Sequence, residues 1–159
     1  MTRGKVVWPV LAGLLLFSAV ADADCGLHHE AETVTIDNGW IREAPPAAKV
    51  LAGFMTLQNG ADAAVAVTGA ESPAFERVEI HRTMMRKGMA SMAHQESVEV
   101  PPHGRMEFSP GGYHLMLINP SRPLRAGDSV IISLHFKSGK SVSAPFSVRS
   151  VTGGQHGHH

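Results

Sequence analysis

Turn-forming residues divide the chain into ten short apolar segments, and the short length and close spacing of these segments limit the folds that the chain can adopt. Turns are marked by Gly, Pro and Asn, as in Asn59-Gly60 and the stretch 109–112. No segment of helical length keeps an apolar period of 3.6 residues. The pattern therefore predicts an all-β domain, an antiparallel Greek-key sandwich or barrel. The predicted strands are 33–36, 40–42, 51–57, 63–67, 75–81, 97–100, 105–108, 113–118, 129–136 and 141–148.

The first residues have the features of an export signal. A basic start with Arg3 and Lys5 precedes a 15-residue apolar run over 6–20, and small residues follow. We expect a signal peptide over 1–21, with cleavage after Ala21 or after Ala23. The run is shorter than the roughly 20 apolar residues of a membrane span, so we expect no membrane span after cleavage and a periplasmic protein. A lipoprotein would use Cys25, but 21–24 lack the apolar and small residues that precede a lipidated cysteine.

The remaining chain fits one domain. We expect a flexible N-terminus over 22–32, a β-domain over 33–148 and a flexible, histidine-rich tail over 149–159. Removal of 1–21 takes two basic residues and no acid, which leaves 12 basic and 14 acidic residues, a net charge of −2. No basic patch suggests nucleic-acid binding. The single cysteine excludes an internal disulfide framework, so the domain must fold on its core alone.

Imidazole and thioether groups are concentrated in one part of the chain. Six of the eight methionines lie between Met84 and Met116, and His81 and His114 stand in or beside the same stretch. Methionine is ordinarily core filler, spread wherever gaps need filling. Thioether and imidazole together, without a nearby thiolate, form a donor set for a soft ion, above all Cu(I). The clustering predicts a copper protein.

Strand alternation predicts where these donors point. In 113–117, Leu115 and Leu117 share one face, so His114 and Met116 lie together on the other. In 75–81, Val78 and Ile80 share one face, and the same alternation places His81 on the other face with Glu79. We expect Met92 to lie on the return arm of a hairpin that turns near Lys87-Gly88. Such an arm can bring Met92 back over His81.

Four of the donors stand at fixed spacings. Ten residues separate His81 from Met92, twenty-one separate Met92 from His114, and one separates His114 from Met116. This H-x10-M-x21-H-x-M pattern resembles the signature of the PCuAC family of periplasmic copper chaperones. The resemblance covers roughly 33–148. Matching flanks include Trp40-Ile-Arg42, Val78-Glu-Ile-His81, Pro110-Gly-Gly-Tyr-His-Leu-Met-Leu-Ile118 and Arg122-Pro-Leu-Arg-Ala-Gly-Asp128.

The resemblance implies a fold, a cargo and partners. It implies a cupredoxin-like fold with an exposed site, in which His81, Met92, His114 and Met116 bind Cu(I). It also implies delivery of Cu(I) to the copper centre of cytochrome c oxidase, through the oxidase copper domain directly or with a Sco-type thiol protein. We expect a monomer that is not an enzyme. Copper sequestration for tolerance, without a dedicated delivery partner, stays an open alternative.

An electron-transfer cupredoxin is a weaker alternative. Such a protein needs a cysteine thiolate close to the second histidine and the methionine, whereas Cys25 lies far upstream. A hydrolase has little support because the chain lacks a Gly-x-Ser-x-Gly elbow.

The other histidines and methionines receive secondary roles. Met84, Met85 and Met89 are expected either near the hairpin tip, exposed for partner docking, or as auxiliary thioethers, and Met89 is the secondary candidate ligand among them. The tail residues His156, His158 and His159 predict a weak Cu(II) site. We expect core positions for two methionines, strand-end or loop positions for two histidines and a surface strand position for a third; these are Met55, Met106, His94, His103 and His135.

Overall fold

The computed structural model describes residues 34–150, which form ten strands. None of these residues belongs to a helix with the length and hydropathy that a membrane crossing requires. The predicted signal peptide, the N-terminal segment 22–32 and the tail histidines lie outside the described residues. The strands are β1 (Val34–Arg42), β2 (Val50–Asn59), β3 (Val65–Glu71), β4 (Phe75–Arg86), β5 (Met89–His94), β6 (Val98–Val100), β7 (Arg105–Phe108), β8 (Tyr113–Pro120), β9 (Ser129–Phe136) and β10 (Ser141–Arg149).

Eight of the strands close into a barrel. The order around it is β4-β8-β7-β2-β1-β10-β9-β3, and the pairing of Ala70 with Val78 joins β3 back to β4. Most neighbours are antiparallel, but β1 runs parallel to β10 and β7 runs parallel to β8. β5 and β6 are added to β4 and β3. The predicted all-β fold is confirmed, and the sheet is mixed rather than purely antiparallel.

The apolar residues at alternate positions of the strands lie in the interior of the barrel. On β8, Leu115 and Leu117 are fully buried, and they lie opposite Ile80 and Val78 of β4. Met55 is also buried, and Met106 packs against the core, as predicted. Each large side chain buried in this way contributes about 1.5–3 kcal/mol. β4 and β8, which carry three of the four metal-ligand candidates, are therefore anchored from inside by their own alternate residues.

β4 is the longest of the ten described strands and, besides its single pairing with β3 at Val78, has two longer pairings. Its first part pairs with β8, from Phe75 to Arg82, and its last part pairs with β5, from His81 to Arg86. The two pairings overlap only at His81 and Arg82. At His81, β4 therefore has a partner strand on both sides.

A tight turn connects β4 to β5. Lys87 and Gly88 both have positive φ, 50° and 78°, which is the conformation of a two-residue type I′ hairpin turn. The predicted turn near these residues is confirmed. β5 is the predicted return arm that carries Met92. The prediction ended the first strand at His81 and gave no strand bounds to the return arm, because the polar and small residues of this hairpin lack an apolar face.

A bulge joins two segments that were predicted as separate strands. The register of β1 against β2 shifts between Asp37 and Trp40, and Asn38 has a φ of 53°. The extra residue places Trp40 opposite Phe54, and their rings lie 4.6 Å apart. Phe54 follows Ala52 by two residues, and Ala52 faces Met116, so this aromatic pair lies on the same outer face as Met116.

Candidate metal centre

Three histidines from three adjacent strands form a row on the outer face of the barrel. His81 of β4 lies directly opposite His114 of β8 on one side and opposite His94 of β5 on the other. Directly paired residues project to the same face of a sheet. The ring centroids of His81 and His114 are 6.0 Å apart, and those of His81 and His94 are 5.4 Å apart. The structure thus places His81 at the centre of an imidazole cluster.

The two predicted thioether ligands flank this row. Met92 pairs with Thr83, one diagonal step from His81 on β5, and Met116 pairs with Glu79, one diagonal step away on β8. Diagonal neighbours in a sheet are about 7–8 Å apart at Cα, within reach of a methionine side chain. Met92 is 63% exposed, whereas Met116 is half-buried. All four predicted ligands therefore share one face.

The ring of His81 has a hydrogen-bond partner at one nitrogen and none among the described residues at the other. Nε2 lies 2.9 Å from Oε2 of Glu79. Nδ1 is buried and has no hydrogen-bond partner among residues 34–150. If Nε2 carries the proton and donates it to the carboxylate, Nδ1 presents its lone pair. An unpaired buried nitrogen costs about 1–3 kcal/mol, and a metal ion would satisfy it.

Glu79 is itself fixed by a cation. Its second oxygen, Oε1, accepts a hydrogen bond from Nε of Arg77 at 2.6 Å. The hydrogen bond from His81, together with the Arg77 guanidinium, holds the pKa of the Glu79 carboxyl below its usual value, against the opposing effect of desolvation. The carboxylate therefore stays ionised and orients the imidazole. Such carboxylate–histidine pairs commonly set the tautomer of a metal-binding histidine.

His114 is oriented by the backbone. Its Nδ1 lies 3.2 Å from the carbonyl oxygen of Gly112, so Nδ1–H is the donor and Nε2 is left to bind. The same carbonyl accepts a hydrogen bond from the backbone of Thr83 at 3.0 Å, which ties the loop to β4. The His114 ring is buried, at 8% exposure. Its direction is therefore fixed before any ion arrives.

The chemistry of this donor set suits a soft ion. Two imidazole nitrogens and two thioether sulfurs favour Cu(I), and thioethers do not titrate. The sulfur of exposed Met92 stands on the solvent side, and the buried His114 stands on the protein side. A partner can approach an ion here from the Met92 side while the histidines still hold it.

The structure does not bring every candidate to this face. Met89 pairs with Arg86 on β4, and it lies on the face of the hairpin opposite to Met92. Met85 and Met89 are both about 70% exposed, as expected for residues near the hairpin tip. The predicted Cu(II) ligands His156, His158 and His159 are outside the described residues.

Two residues of the cluster were not recognised from the sequence. Glu79 was placed on the correct face but given no role, and His94 was predicted as a solvated strand-end or loop residue. His94 does end β5, yet it packs edge-on against His81. The sequence did contain a signal for the pairing of His94 with His81, because a two-residue turn at Lys87-Gly88 fixes the register of the hairpin and places these two residues opposite each other. His103 and His135 lie elsewhere, with Nε2 at 2.8 Å from a carboxylate oxygen of Asp62 and at 3.4 Å from one of Glu71, respectively.

Sequence comparison places most of the chain in one family. Residues 34–148 match the family model LpqE-like, described as "Putative lipoprotein LpqE-like". A curated relative, "Putative lipoprotein Lxx21020" of Leifsonia xyli subsp. xyli, is 26% identical over 125 residues, covering 78% of this chain and 74% of the relative.

Solved structures show the same fold. The solution structure of CuI-DR1885 from Deinococcus radiodurans is 26% identical, with a TM-score of 0.62 over 80% of this chain and 87% of that one. The copper-bound PCuAC domain from PmoF2 is 22% identical, with a TM-score of 0.63 over 74% of this chain and 93% of that one. These neighbours have a cupredoxin-like fold, so the predicted fold class and the predicted resemblance are both confirmed. The chain belongs to the LpqE-like family, which is part of the PCuAC-like group.

Proposed function

We propose that this protein is a periplasmic Cu(I)-binding chaperone rather than an enzyme. The observation that carries the proposal is the buried Nδ1 of His81, which has no hydrogen-bond partner among the described residues. His81 lies between His94 and His114 on a face that also presents Met92 and Met116. Two solved neighbours are described as copper-bound or CuI forms, which supports copper as the cargo. In this proposal Cu(I) is bound by His81, Met92, His114 and Met116.

The exposure of the site supports transfer rather than storage. A fully buried ion leaves slowly because its ligands must open first, whereas Met92 is 63% exposed. An incoming thiolate can bind the ion at that position before the histidines release it. We propose that the recipient is the copper centre of cytochrome c oxidase, reached directly or with a Sco-type thiol protein.

Location in the cell envelope is part of the proposal. The names of the family and of the curated relative both refer to lipoproteins, which supports export. Mass spectrometry of the exported chain distinguishes cleavage after Ala21 from lipid attachment at Cys25. Either product would be placed in the compartment where the oxidase copper domain is assembled.

Two measurements test the proposal. The first is anaerobic competition with a chromophoric Cu(I) chelator, for the wild type and for Met92→Ala and His114→Ala. We expect each variant to lose at least about tenfold in affinity, with His135→Ala as the control that stays unchanged. Full affinity in both site variants would refute the ligand assignment.

The second measurement follows the ion to its recipient. The Cu(I)-loaded protein is mixed with the apo oxidase copper domain or an apo Sco-type protein, and the two are separated before copper is assayed. Copper on the recipient supports delivery. Copper that stays on the chaperone in both mixtures would instead support sequestration.

A further inference from the structure

We propose that the same outer face contains a second cation site, formed by Glu79, His81 and His94, that takes Cu(II). The site shares only His81 with the four Cu(I) ligands, and its description as a second site rests on the proposed function. It has nitrogen and oxygen donors alone, which suit Cu(II), whereas thioethers select Cu(I).

The three residues are already gathered. One donor atom from each lies within 4.8 Å of the donor atoms of the other two. His94 and His81 are direct partners across β4 and β5, and Glu79 precedes His81 by two residues on the same face. His94 is exposed at the end of β5, so its ring can close the remaining distance by a change of rotamer.

The distance between Glu79 and His81 suits two ligands of one ion. Oε2 and Nε2 are 2.9 Å apart. Two donors that each lie about 2.0–2.1 Å from a metal ion and subtend a right angle are about 3 Å apart. Right angles are the preference of tetragonal Cu(II). Cu(II) can therefore replace the hydrogen bond between these atoms with little movement of either side chain.

The His81 ring makes the two sites mutually exclusive. A neutral imidazole has a single lone pair, because its other nitrogen carries the proton. For Cu(I), Nε2–H donates to Glu79 and the buried Nδ1 binds the ion. For Cu(II), Nε2 binds the ion beside Glu79 and the proton moves to Nδ1. The oxidation state of the ion thus decides which edge of the ring is used.

The two sites differ in the residues that complete them around His81. Glu79 and His94 complete the Cu(II) set, whereas His114 and Met116 of β8, together with Met92 of β5, complete the Cu(I) set. A variant at His94 should therefore affect Cu(II) and spare Cu(I). This separation gives the proposal a test that is independent of copper delivery.

The test uses the full chain with the terminal histidines replaced by alanine, so that Cu(II) cannot bind to them; these are His28, His29, His156, His158 and His159. In this background, Cu(II) affinity is measured by chelator competition, and the Cu(II) ligands are followed by electron paramagnetic resonance. Cu(I) affinity is measured separately under reducing, anaerobic conditions. His135→Ala is the control, because His135 faces Glu71 at 3.4 Å in a comparable histidine–carboxylate pair but does not belong to the group of Glu79, His81 and His94.

We expect His94→Ala to weaken Cu(II) binding by at least about tenfold, to lose the hyperfine contribution of one of the two nitrogens, and to leave Cu(I) affinity within about threefold. Glu79→Gln should also weaken Cu(II) binding, since an amide is a poorer ligand than a carboxylate. The amide oxygen of the glutamine can still accept a hydrogen bond from Nε2–H of His81 in the Cu(I) form. Met92→Ala should do the reverse, losing Cu(I) and keeping Cu(II).

Wild-type Cu(II) affinity and spectra in both His94→Ala and Glu79→Gln would overturn the second site. Equal losses of Cu(I) and Cu(II) in His94→Ala would overturn the separation of the two sites. If Met92→Ala and His114→Ala keep full Cu(I) affinity while His94→Ala loses Cu(II), the proposed function fails and the Cu(II) site stands. Circular dichroism of each variant verifies that the barrel is folded.

Discussion

Replacement of Glu79 by alanine tests how the protein prepares His81 for its ion. The variant removes the acceptor 2.9 Å from Nε2 of His81 and leaves Arg77 without the carboxylate that it contacts at 2.6 Å. The His81 ring then loses the contact that selects its tautomer. Either nitrogen can carry the proton, and the ring can rotate away from the row of histidines.

The size of the effect follows from the burial of the pair. A hydrogen bond to a charged group contributes about 1.5–3 kcal/mol. The side chain of Glu79 is 25% exposed and that of His81 is 13% exposed, so solvent screens the bond only in part. Loss of such an outer partner of a metal ligand costs about 10- to 100-fold in affinity. We expect Glu79→Ala to fall near the lower end, at about 10- to 30-fold weaker Cu(I) binding.

Chelator competition measures the affinity, and nitrogen NMR of the ring measures the tautomer without any metal. In the wild type we expect a proton on Nε2 of His81, and in Glu79→Ala a mixture of both tautomers. Glu76→Ala is the matched control, since Glu76 lies on the same strand but its carboxylate bonds to Asn119. Cu(I) affinity within about twofold of the wild type, with an unchanged ring spectrum, would refute the idea that Glu79 positions His81.

Three further predictions concern the scaffold. The buried Asn59 side chain donates hydrogen bonds to the carbonyls of Ala63, Val100 and Pro101 and accepts one from the backbone N–H of Ala61. Asn59→Ala should therefore lower the free energy of unfolding, measured in urea, by about 2–4 kcal/mol. A loss below about 0.5 kcal/mol would contradict this role. The Arg122 side chain and the backbone of Arg125 hold the pKa of Asp128 below its usual value. The stabilisation is therefore present above the unfolded-state pKa and is lost as pH falls through the folded-state pKa, so the difference in Tm between wild type and Asp128→Asn should vanish in acid; a constant difference would refute it. Gly88→Ala meets no atom within 4 Å but must adopt a φ of 78°, so urea unfolding should show a cost of about 1 kcal/mol, which Gly88→Asn should largely avoid.

The strands were predictable where the apolar residues alternate. β8 and β9 occur close to their predicted bounds because alternate apolar residues face the core, namely Leu115, Leu117, Ile132 and Leu134. β5 was predicted only as the return arm of the hairpin, without strand bounds, because its residues are mostly exposed and face no core. The two halves of β1 were predicted as separate strands because a bulge between Asp37 and Trp40 interrupts the alternation.

The donor chemistry of the candidate site was predictable from the sequence, but the residues that form the site were predictable only in part. Spacing selected His81, Met92, His114 and Met116, and the structure places them on one face. His94 and Glu79 belong to the same cluster but stand outside that pattern. The pairing of His94 with His81 could have been derived from the turn at 87–88, because register in a two-residue hairpin is fixed by the turn itself.

The sequence alone determined the donor types, the strand periodicity and the face on which each donor lies, because side-chain direction in a strand depends only on local alternation. Tertiary structure decided which donors meet. His81 and His114 are paired across β4 and β8 although more than thirty residues separate them in the chain, and that pairing depends on closure of the whole barrel. It also decided which nitrogen of His81 has no partner: alternation puts Arg77, Glu79 and His81 on one face, but only the folded structure sets the side-chain conformations that bring Oε2 of Glu79 to Nε2 and bury Nδ1.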